Sequence, residues 1–326
     1  MENNNIDLLQ LSLNYILSQS IFVAAEIKLH KLLMSPKTAI EIASATNCNV
    51  KVLERVLNVL FAHKIIARNE GGQYIATECL NQLELISPVF IGKTSFNVFS
   101  HTLDSVKTGQ PAWEAVFGHN FYDTLNQKKD WSAEFNHWNE ITGHAWLTQL
   151  VEAYDFSIYK IIVDLGGGHG VFLSFLQKQH PNLKGIIFDR PDCQEQAIKN
   201  IEKNNIANRC SFQSGDFLKS IPQKGDAYCF SRVLLNFSDE MINHIFQICQ
   251  RDMPPTAKLI IIDALMPPEN HPTFPFAAMN HLHLFMLMGG ARRTKKEWEK
   301  LLGQNGFKIN QFLSDVGGFG LFLLEG

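Results

Sequence analysis

The segment Ile161–Gly170, which reads IIVDLGGGHG, decides the fold of this chain. Its first five residues are mostly apolar and predict a buried strand, and apolar residues recur at helical spacing from Val171 to Leu176. The glycines in between allow a tight turn and a close approach of the backbone to a ligand, because they carry no Cβ atom. A strand, a glycine loop and a helix in this order indicate the first unit of a parallel α/β sheet.

Alternation of strands and helices continues from this segment to the end of the chain. Further strands are predicted at Gly185–Asp189, Ser211–Gln213, Asp226–Ser231, Lys258–Ala264, Phe307–Phe312 and Phe319–Leu324. Helices are expected between them, including Ser238–Cys249 and a capped helix at Thr294–Gln304. The C-terminal half is therefore predicted to form a doubly wound parallel sheet.

The N-terminal part of the chain shows a different pattern. Apolar residues at helical spacing predict one long helix over residues 6–34, which Ser35-Pro36 ends. Residues 38–77 are typical of a helix, a turn, a second helix and a two-stranded hairpin, which is a winged helix-turn-helix outline. Residues 86–155 are predicted to be mainly helical and are rich in aromatic side chains.

Acidic residues stand at or just after the ends of three predicted strands. Asp164 and Asp189 belong to the ends of the first two, and Asp216 follows the third. Open α/β sheets bind ligands at the carboxyl ends of their strands. A dinucleotide loop would carry a glycine where Val171 stands, so a ligand without a pyrophosphate and with an amino-acid end fits better. We therefore expect S-adenosylmethionine (SAM).

Each part of this cofactor has an expected partner. The loop glycines Gly166, Gly168 and Gly170 are predicted to lie against the methionyl group. A carboxylate at Asp189 can accept hydrogen bonds from both ribose hydroxyls. Asp216 can accept from the adenine amino group, and Phe217 can pack on the adenine ring.

Composition and charge limit the other possibilities. Hydrophobic residues make up 45 % of the 326 residues and charged residues 19 %, which is typical of a globular protein. The net charge of −3 does not favour nucleic acid or membrane partners. Six scattered cysteines without CxxC spacing, and an N-terminus without a signal-peptide pattern, favour reduced thiols in the cytoplasm and no metal site.

The motifs together resemble one family, the SAM-dependent small-molecule O-methyltransferases of the caffeic-acid and hydroxyindole type, with bacterial relatives in natural-product pathways. The resemblance covers nearly the whole chain. The segments that carry it are the winged-helix outline at 38–77, GQPAWEAVFGH (109–119), FNHW (135–138), VDLGGGHG, FDRP (188–191), GDF (215–217), LLNFSDE (234–240), IIDALMP (261–267), GGARRT (289–294) and GF (306–307). It implies a Rossmann-like class I methyltransferase fold with a seven-stranded sheet whose last strand is antiparallel.

The resemblance also implies a division of the chain and further site residues. Residues 1–100 are expected to form a winged-helix dimerisation domain that makes a homodimer, 101–155 a helical linker that contributes to the substrate pocket, and 156–326 the SAM-binding catalytic domain. The further positions implied for the cofactor are Asp164, Arg190, Ser231 and Arg232, and those for the substrate pocket are Trp138, Asn139, Thr142, Asn280 and His281.

The catalytic positions depart from the family pattern. The family's general-base histidine falls on Leu235, which cannot accept a proton. Its first supporting carboxylate falls on Asp263, and its second falls on Arg292, where an anion has become a cation. An arginine here is expected to face a carbonyl, carboxylate or phenolate oxygen of the substrate, or else to point to solvent beside Arg293.

Three functions stay open at this point. The first is O-methylation of a small aromatic or polyketide-like hydroxyl compound without a histidine base, and His119, His137 and His144 are candidate replacement bases. The second is a SAM-binding enzyme that catalyses a hydroxylation, decarboxylation or pericyclic step. The third is a ligand-sensing winged-helix regulator. Glu41, Glu54 and Glu70 accompany the basic residues Lys51, Arg55, Lys64 and Arg68, and this mixed charge disfavours a DNA reader. His281 and His283 alone do not predict a metal site.

Overall fold

The strands of the structure, a computed structural model, form a small hairpin and a seven-stranded sheet. The description covers residues 7–316 and 318–325, without the side chains of residues 88, 91, 142–145, 315 and 316. The strands are β1 (Ile66–Arg68), β2 (Tyr74–Ala76), β3 (Ile161–Leu165), β4 (Lys184–Asp189), β5 (Cys210–Ser214), β6 (Ala227–Ser231), β7 (Lys258–Ala264), β8 (Lys308–Val316) and β9 (Phe319–Glu325).

Helices account for most of the remaining described residues. The α-helices are α1 (Leu8–Ser12), α2 (Asn14–Glu26), α3 (Leu29–Leu32), α4 (Ala39–Thr46), α5 (Val50–Ala62), α6 (Thr94–Phe99), α7 (Thr102–Thr108), α8 (Trp113–Phe117), α9 (Phe121–Gln127), α10 (Lys129–Ala153), α11 (Val171–Gln179), α12 (Gln194–Lys203), α13 (Asp239–Asp252), α14 (Phe274–Met288) and α15 (Lys295–Gln304). Other short helices lie at Glu78–Leu85, Pro88–Lys93, Phe156–Ile158, Pro191–Cys193 and Leu234–Asn236.

The large sheet has the order β5-β4-β3-β6-β7-β9-β8. The pairs β5–β4, β4–β3, β3–β6 and β6–β7 are parallel, and the last strand, β9, runs antiparallel to both β7 and β8. This topology confirms the class I methyltransferase sheet expected from the resemblance. The eighth strand is longer than predicted, because it extends past Phe312 to Val316 with two register shifts against β9.

The central strands are buried on both faces. Ile162 and Ile260 pack into one hydrophobic cluster, and their neighbours Val163 and Ile261 pack into the other. Successive side chains of a strand point to opposite faces, so a continuous apolar run is what a sheet covered by helices on both sides requires. This burial fixes β3 and β7 inside the sheet and leaves their carboxyl ends to carry the polar groups.

The N-terminal residues confirm the winged helix-turn-helix outline. Thr38 and Glu41 form a capping box at the start of α4, and Asn47 ends that helix in a left-handed conformation. Helix α5 buries Leu53 and Leu57 against the α4 face, and β1 pairs antiparallel with β2 to form the wing.

The prediction of one continuous helix over residues 6–34 is wrong. Residue 6 lies outside the described residues, and the chain breaks at Leu13 and again at Lys28, whose φ of 54° is left-handed. The second break turns the chain, and Leu29 thereby joins the same core as Ala24. The segments on either side of Lys28 are buried in one small core, so they cannot continue as a single straight helix.

Residue contacts divide the chain into two compact units, Met1–Ser100 and His101–Gly326. The finer three-part division, with a separate segment over residues 101–155, stays a prediction.

Apolar side chains in α1 and in the first turn of α2 are exposed and form one contiguous surface. Leu8 is 76 % exposed and Leu9 72 %, and Leu11, Leu13, Tyr15 and Ile16 are exposed as well. By length and composition, Leu8–Glu26 is the one stretch among the described residues that is apolar enough to cross a membrane. Contiguous apolar surface of this kind marks an interface in a folded protein, and we expect a second copy of the chain to cover it.

We therefore predict that the protein is a homodimer and that Leu9→Glu combined with Ile16→Glu shifts it to monomer, because both changes place charge in the apolar interface. Sedimentation at micromolar concentration measures the shift. Ile158→Glu is the matched control, since Ile158 is also exposed, at 64 %, but lies in the second unit. A wild-type monomer, or a doubly substituted chain that stays dimeric, would contradict this assignment.

Candidate cofactor and active site

The glycine loop lies between β3 and α11 and has little room for side chains. Gly166, Gly168 and Gly170 all have left-handed φ values, between 54° and 75°. A Cβ atom at Gly170 would come within 2.2 Å of the Ile187 side chain. The loop therefore needs glycine for both conformation and space, and it presents bare backbone at the end of β3.

Asp164 lies buried beneath this loop. It is 1 % exposed, and its two carboxylate oxygens have no hydrogen-bond partner within the described part of the chain. Burial, together with the nearby Asp189 carboxylate, raises the pKa of Asp164 to about 8. A buried carboxylate of this kind gains from a neighbouring cation, and the ammonium group of a methionyl ligand is one. The loop and Asp164 thus fit SAM.

Asp189 ends β4 and faces the loop. Its Oδ2 accepts a hydrogen bond from the Gly168 backbone N–H at 2.6 Å, and its Oδ1 accepts from the Arg190 backbone N–H at 2.7 Å. Burial raises the pKa of Asp189, and these two N–H groups oppose that shift. The carboxylate is thus held at the strand end with lone pairs remaining for ribose hydroxyls.

The Arg190 guanidinium makes its contacts on another element. It donates to the Tyr122 backbone oxygen at 2.8 Å and pairs with Asp192 at 2.9 Å, and it lies 5.2 Å from the centre of the Tyr122 ring. Arg190 therefore ties α9 to the end of β4, and its backbone N–H donates to the Asp189 carboxylate.

The residues expected at the adenine lie after β5. Asp216 is partly exposed, accepts from the Leu218 backbone N–H at 2.9 Å and lies 3.3 Å from the Lys219 ammonium. Phe217 packs edge-on against Phe237, with ring centres 5.8 Å apart. Phe237 was not singled out from the sequence, although it stands in the quoted segment LLNFSDE. Its aromatic character two residues after Leu235 was the available signal.

The end of β6 turns sharply at Arg232. This residue has a left-handed φ of 61°, and its N–H donates to Ile262 in β7 at 2.8 Å. Its guanidinium reaches the Asn139 backbone and side-chain oxygens, each at 3.4 Å. Burial lowers the pKa of Arg232 to about 10, against the opposing effect of Asp263. Arg232 therefore faces a predicted substrate residue as well as the strand end, where Ser231 is half-buried.

The three predicted catalytic positions come together at the ends of β6 and β7. Leu235 lies half-buried in the turn after β6, and Ala291 donates its backbone N–H to the Leu235 oxygen at 2.8 Å. A Cβ atom at Gly290 would come within 2.2 Å of that same oxygen. Glycine at 290 therefore permits the close backbone contact that places Arg292 beside the Leu235 turn.

Asp263 supplies a carboxyl group below this surface. It is 1 % exposed, and no hydrogen bond of normal geometry from the described residues reaches either oxygen. Burial raises its pKa to about 7, against the opposing effects of the Arg293 and Arg232 guanidinium groups and of the Leu235 and Ala264 backbone. The carboxyl group is thus partly protonated near neutral pH.

Arg292 and Arg293 have different environments. Arg293 is 4 % exposed, pairs with Asp239 at 2.7 Å and donates to the Phe237 oxygen at 2.8 Å. Arg292 is half-buried, and its Nε is buried with no hydrogen-bond partner among the described residues. Burial lowers the pKa of Arg292, and Asp263 opposes that effect. Arg293 therefore has a structural role, whereas Arg292 keeps a buried donor.

Helix α14 fixes Arg292 from the other side. The Arg292 backbone N–H donates to His281 Nδ1 at 3.0 Å, and Asn280 beside it is half-buried. Because that bond uses the Nδ1 lone pair, the neutral His281 ring carries its proton on Nε2. Neutral His281 therefore presents a donor, not an acceptor, at its second nitrogen.

Helix α10 supplies the other predicted pocket residues. Trp138 and Asn139 are half-buried, and the Thr142 and His144 side chains lie outside the described residues. Asn136 was missed by sequence reasoning, yet its side-chain oxygen lies 3.5 Å from where a Cβ atom on Gly168 would stand. The candidate replacement bases His119 and His137 are exposed.

Tyr122 is a second residue that sequence reasoning missed. Its hydroxyl accepts a hydrogen bond from Asn236 at 2.9 Å, and its ring stacks on Phe237 with centres 6.1 Å apart. Burial raises the Tyr122 pKa. Only its place in an aromatic-rich helix signalled it, and long-range contacts decide its position.

Comparison with known proteins places these features in a family. A family model described as an O-methyltransferase domain matches residues 99–308, and one described as an O-methyltransferase dimerisation domain matches residues 9–81. The phenazine O-methyltransferase PhzM of Lysobacter antibioticus is 29 % identical over 96 % of this chain and 94 % of its own length. The crystal structure of LaPhzM is similar with a TM-score of 0.88 and 28 % identity, over 98 % of both chains.

A relative with a different activity is also similar. The aclacinomycin 10-hydroxylase RdmB of Streptomyces purpurascens is 28 % identical over 65 % of this chain and 56 % of its own length. Similarity to this sequence pattern therefore extends to a protein named for a reaction other than methyl transfer.

We predict that SAM affinity depends on the loop and on Asp189. Gly168→Val puts a branched side chain beside Asn136 at a left-handed residue, and Asp189→Ala removes an acceptor worth about 1.5–3 kcal/mol as a charge-assisted bond. Calorimetric titration with SAM should show both losses, whereas Glu195→Ala, at an exposed residue of α12, should bind as the wild type does. Wild-type affinity in both loop variants would mean that the site is elsewhere.

Proposed function

Because the chain belongs to the SAM-dependent O-methyltransferase family, we propose that it methylates a hydroxyl group on a small aromatic or polyketide-like natural product without a side-chain base at position 235. Matches to the family's catalytic and dimerisation models underlie the methyltransferase assignment. Methylation without a base at position 235 is supported by the meeting of Leu235, Asp263 and Arg292 beside the predicted cofactor loop. The phenazine O-methyltransferase relative supports an aromatic acceptor.

Alignment of the reactants is the main contribution of this chain. When bound, SAM supplies a methyl group on a positively charged sulfur. Asp164, Asp189 and the loop glycines hold the cofactor, and Asp216, Phe217, Ser231, Arg190 and Arg232 complete its site. Proximity and orientation can supply about 7–11 kcal/mol of a barrier, while general-base help is worth roughly 10²–10⁴ in rate. A site that aligns its reactants can therefore work without a histidine at position 235.

The substrate pocket lies, in this proposal, between α10 and α14. Trp138 and Asn139 of α10 form one wall, and Asn280 and His281 of α14 form the other. Arg292 faces the reacting oxygen and stabilises its negative charge, and Asp263 lies beneath and moderates the surrounding arginines. The protein acts as a cytoplasmic homodimer, in keeping with its free cysteines and its dimerisation domain.

A second function has specific support. Leu235 and Arg292 replace the family's histidine and glutamate, and the chain is similar to a hydroxylase as well as to methyltransferases. Arg292 would then stabilise an enolate-like oxygen while SAM stays intact. Mass spectrometry of the bound cofactor and of the product decides between the two. S-adenosylhomocysteine (SAH) with a product heavier by one methylene unit supports methylation, and unchanged SAM beside a converted product supports the second function.

We predict that Arg292→Ala lowers turnover by about 10²-fold or more, as loss of one oxyanion donor does elsewhere, while SAM affinity stays within a few-fold. Steady-state kinetics and calorimetry measure the two quantities. Lys296→Ala, which removes an exposed charge four residues later, should leave both unchanged. An Arg292→Ala enzyme with full turnover would exclude the oxyanion role.

We also predict that Leu235→His raises turnover little. The Arg292 guanidinium is close to this turn and would disfavour protonation of an imidazole there, and it cannot orient the ring as a carboxylate does. The same turnover assay, run beside Leu235→Asn as a polar control without a base, checks this. A large gain specific to histidine would instead show a methyltransferase that has only lost its base.

A further inference from the structure

Arg292 is held in place by its own backbone. Ala291 donates to the Leu235 oxygen at 2.8 Å, and Arg292 donates to His281 at 3.0 Å. Gly290 approaches the 235–236 backbone too closely for any side chain at that position. The guanidinium therefore extends from a fixed point and has a buried Nε whose hydrogen-bond partner is absent from the described residues. A fixed, desolvated guanidinium favours an oxygen anion.

Positive charge exceeds negative charge around this point. Asp263 on β7 is the carboxyl group that acts on Arg232 at the end of β6 and on Arg292. Arg293 also influences Asp263 and already pairs with Asp239 on α13. These groups comprise three guanidinium cations and two carboxyl groups, and His281 on α14 contacts the Arg292 backbone. An anion brought by the substrate therefore meets a favourable field.

Neither position 235 nor the His281 nitrogen that remains available beside Arg292 offers an acceptor for a substrate proton. Leu235 has no polar atom, and neutral His281 carries its proton on the nitrogen that Arg292 leaves available. Asp263 lies beneath this surface with both carboxyl oxygens buried, and the Arg293 and Arg232 guanidinium groups act to lower its pKa, which weakens it as a proton acceptor. We therefore expect the proton to leave the acceptor before the reaction.

We propose that the acceptor binds already ionised, as the phenolate of an aromatic hydroxyl compound whose ring substituents make it more acidic than a simple phenol, with its oxygen on Arg292. This inference rests on the proposed methyl transfer and names its substrate class. A simple phenol with the tyrosine pKa of about 10 is ionised to only about one part in 10³ at neutral pH. A compound whose pKa lies below the working pH is ionised almost completely.

The step balances without any proton moving in the site. The hydroxyl proton is lost to solvent before binding. The phenolate oxygen attacks the methyl carbon, the O–C bond forms as the C–S bond breaks, and the electron pair of the C–S bond stays on sulfur. A cation and an anion become two neutral products, the aryl methyl ether and SAH. Arg292 holds the phenolate until the bond forms.

A spectroscopic binding experiment tests this without turnover. 4-Nitrophenol is added to the protein saturated with SAH, and the nitrophenolate absorbance gives the apparent pKa of the bound ligand. We expect the apparent pKa of 4-nitrophenol to be lower when it is bound than when it is free. The difference should correspond to at least tenfold tighter binding of the phenolate than of the phenol. Arg292→Gln should remove this preference, Arg292→Lys should keep part of it, and Lys296→Ala should keep all of it.

Three results would overturn the proposal. The first is bound 4-nitrophenol that stays protonated, or the same preference in Arg292→Gln. The second is failure of this single-ring phenolate to bind in the millimolar range. The third is that benzoate competes as well as nitrophenolate while the hydroxyl of bound 4-nitrophenol stays protonated. Arg292 would then bind a carboxylate group of the substrate instead of a phenolate oxygen.

The pH dependence of turnover tests the proposal independently. For two accepted aromatic acceptors that differ in their own pKa, the rise of kcat/KM with pH should move with the acceptor's pKa. A rise at one fixed pH for both would reveal a base in the protein and overturn the proposal. Binding of nitrophenolate on Arg292, with no SAH formed from any acceptor that is converted, would support the anion site and exclude methyl transfer itself.

Discussion

Parallel pairing of β3 with β4 and β6 is the constraint on which the site depends. Asp164 lies opposite Ile187 on one side and opposite Cys229 on the other, and Ser231 lies opposite Ile262. A shift of one residue in this register would turn the buried apolar face of a strand outward, so burial on both faces holds it. The register in turn brings the glycine loop, Asp189, Arg232 and Asp263 to one edge of the sheet.

A second close contact completes the site at that edge. Gly290 lies against the backbone of the turn after β6, and this contact sets the distance between the Leu235 and Arg292 segments. Arg293 supports the same segment from below through Asp239 and the Phe237 oxygen. The two neighbouring arginines therefore have different roles. Arg293 holds the loop, and Arg292 keeps a buried donor for a ligand.

Local patterns predicted the sheet well because its central strands are short apolar runs, of which β3 runs into glycine and β4 ends at an aspartate. The segment Ile161–Leu165 and the caps at Thr38, Ser238 and Thr294 follow from residues that are neighbours in sequence. The break at Lys28 did not follow, because a left-handed lysine there is imposed by a core that α2 and α3 share. Asn136 and Tyr122 were missed for the same reason, since each meets its partner across a long separation in the chain.

The two unusual catalytic positions are physically consistent with each other. A histidine base needs an anion to orient its ring and to stabilise the imidazolium that forms, and a cation at position 292 would do the reverse. Once Leu235 removes the base, an anion at position 292 would only repel an oxygen that is losing its proton, whereas a guanidinium attracts it. Asp263 fits this arrangement because it is buried, partly protonated near neutral pH and surrounded by arginines. It moderates the positive charge without cancelling it, and the charge that the site offers to a substrate oxygen is therefore positive.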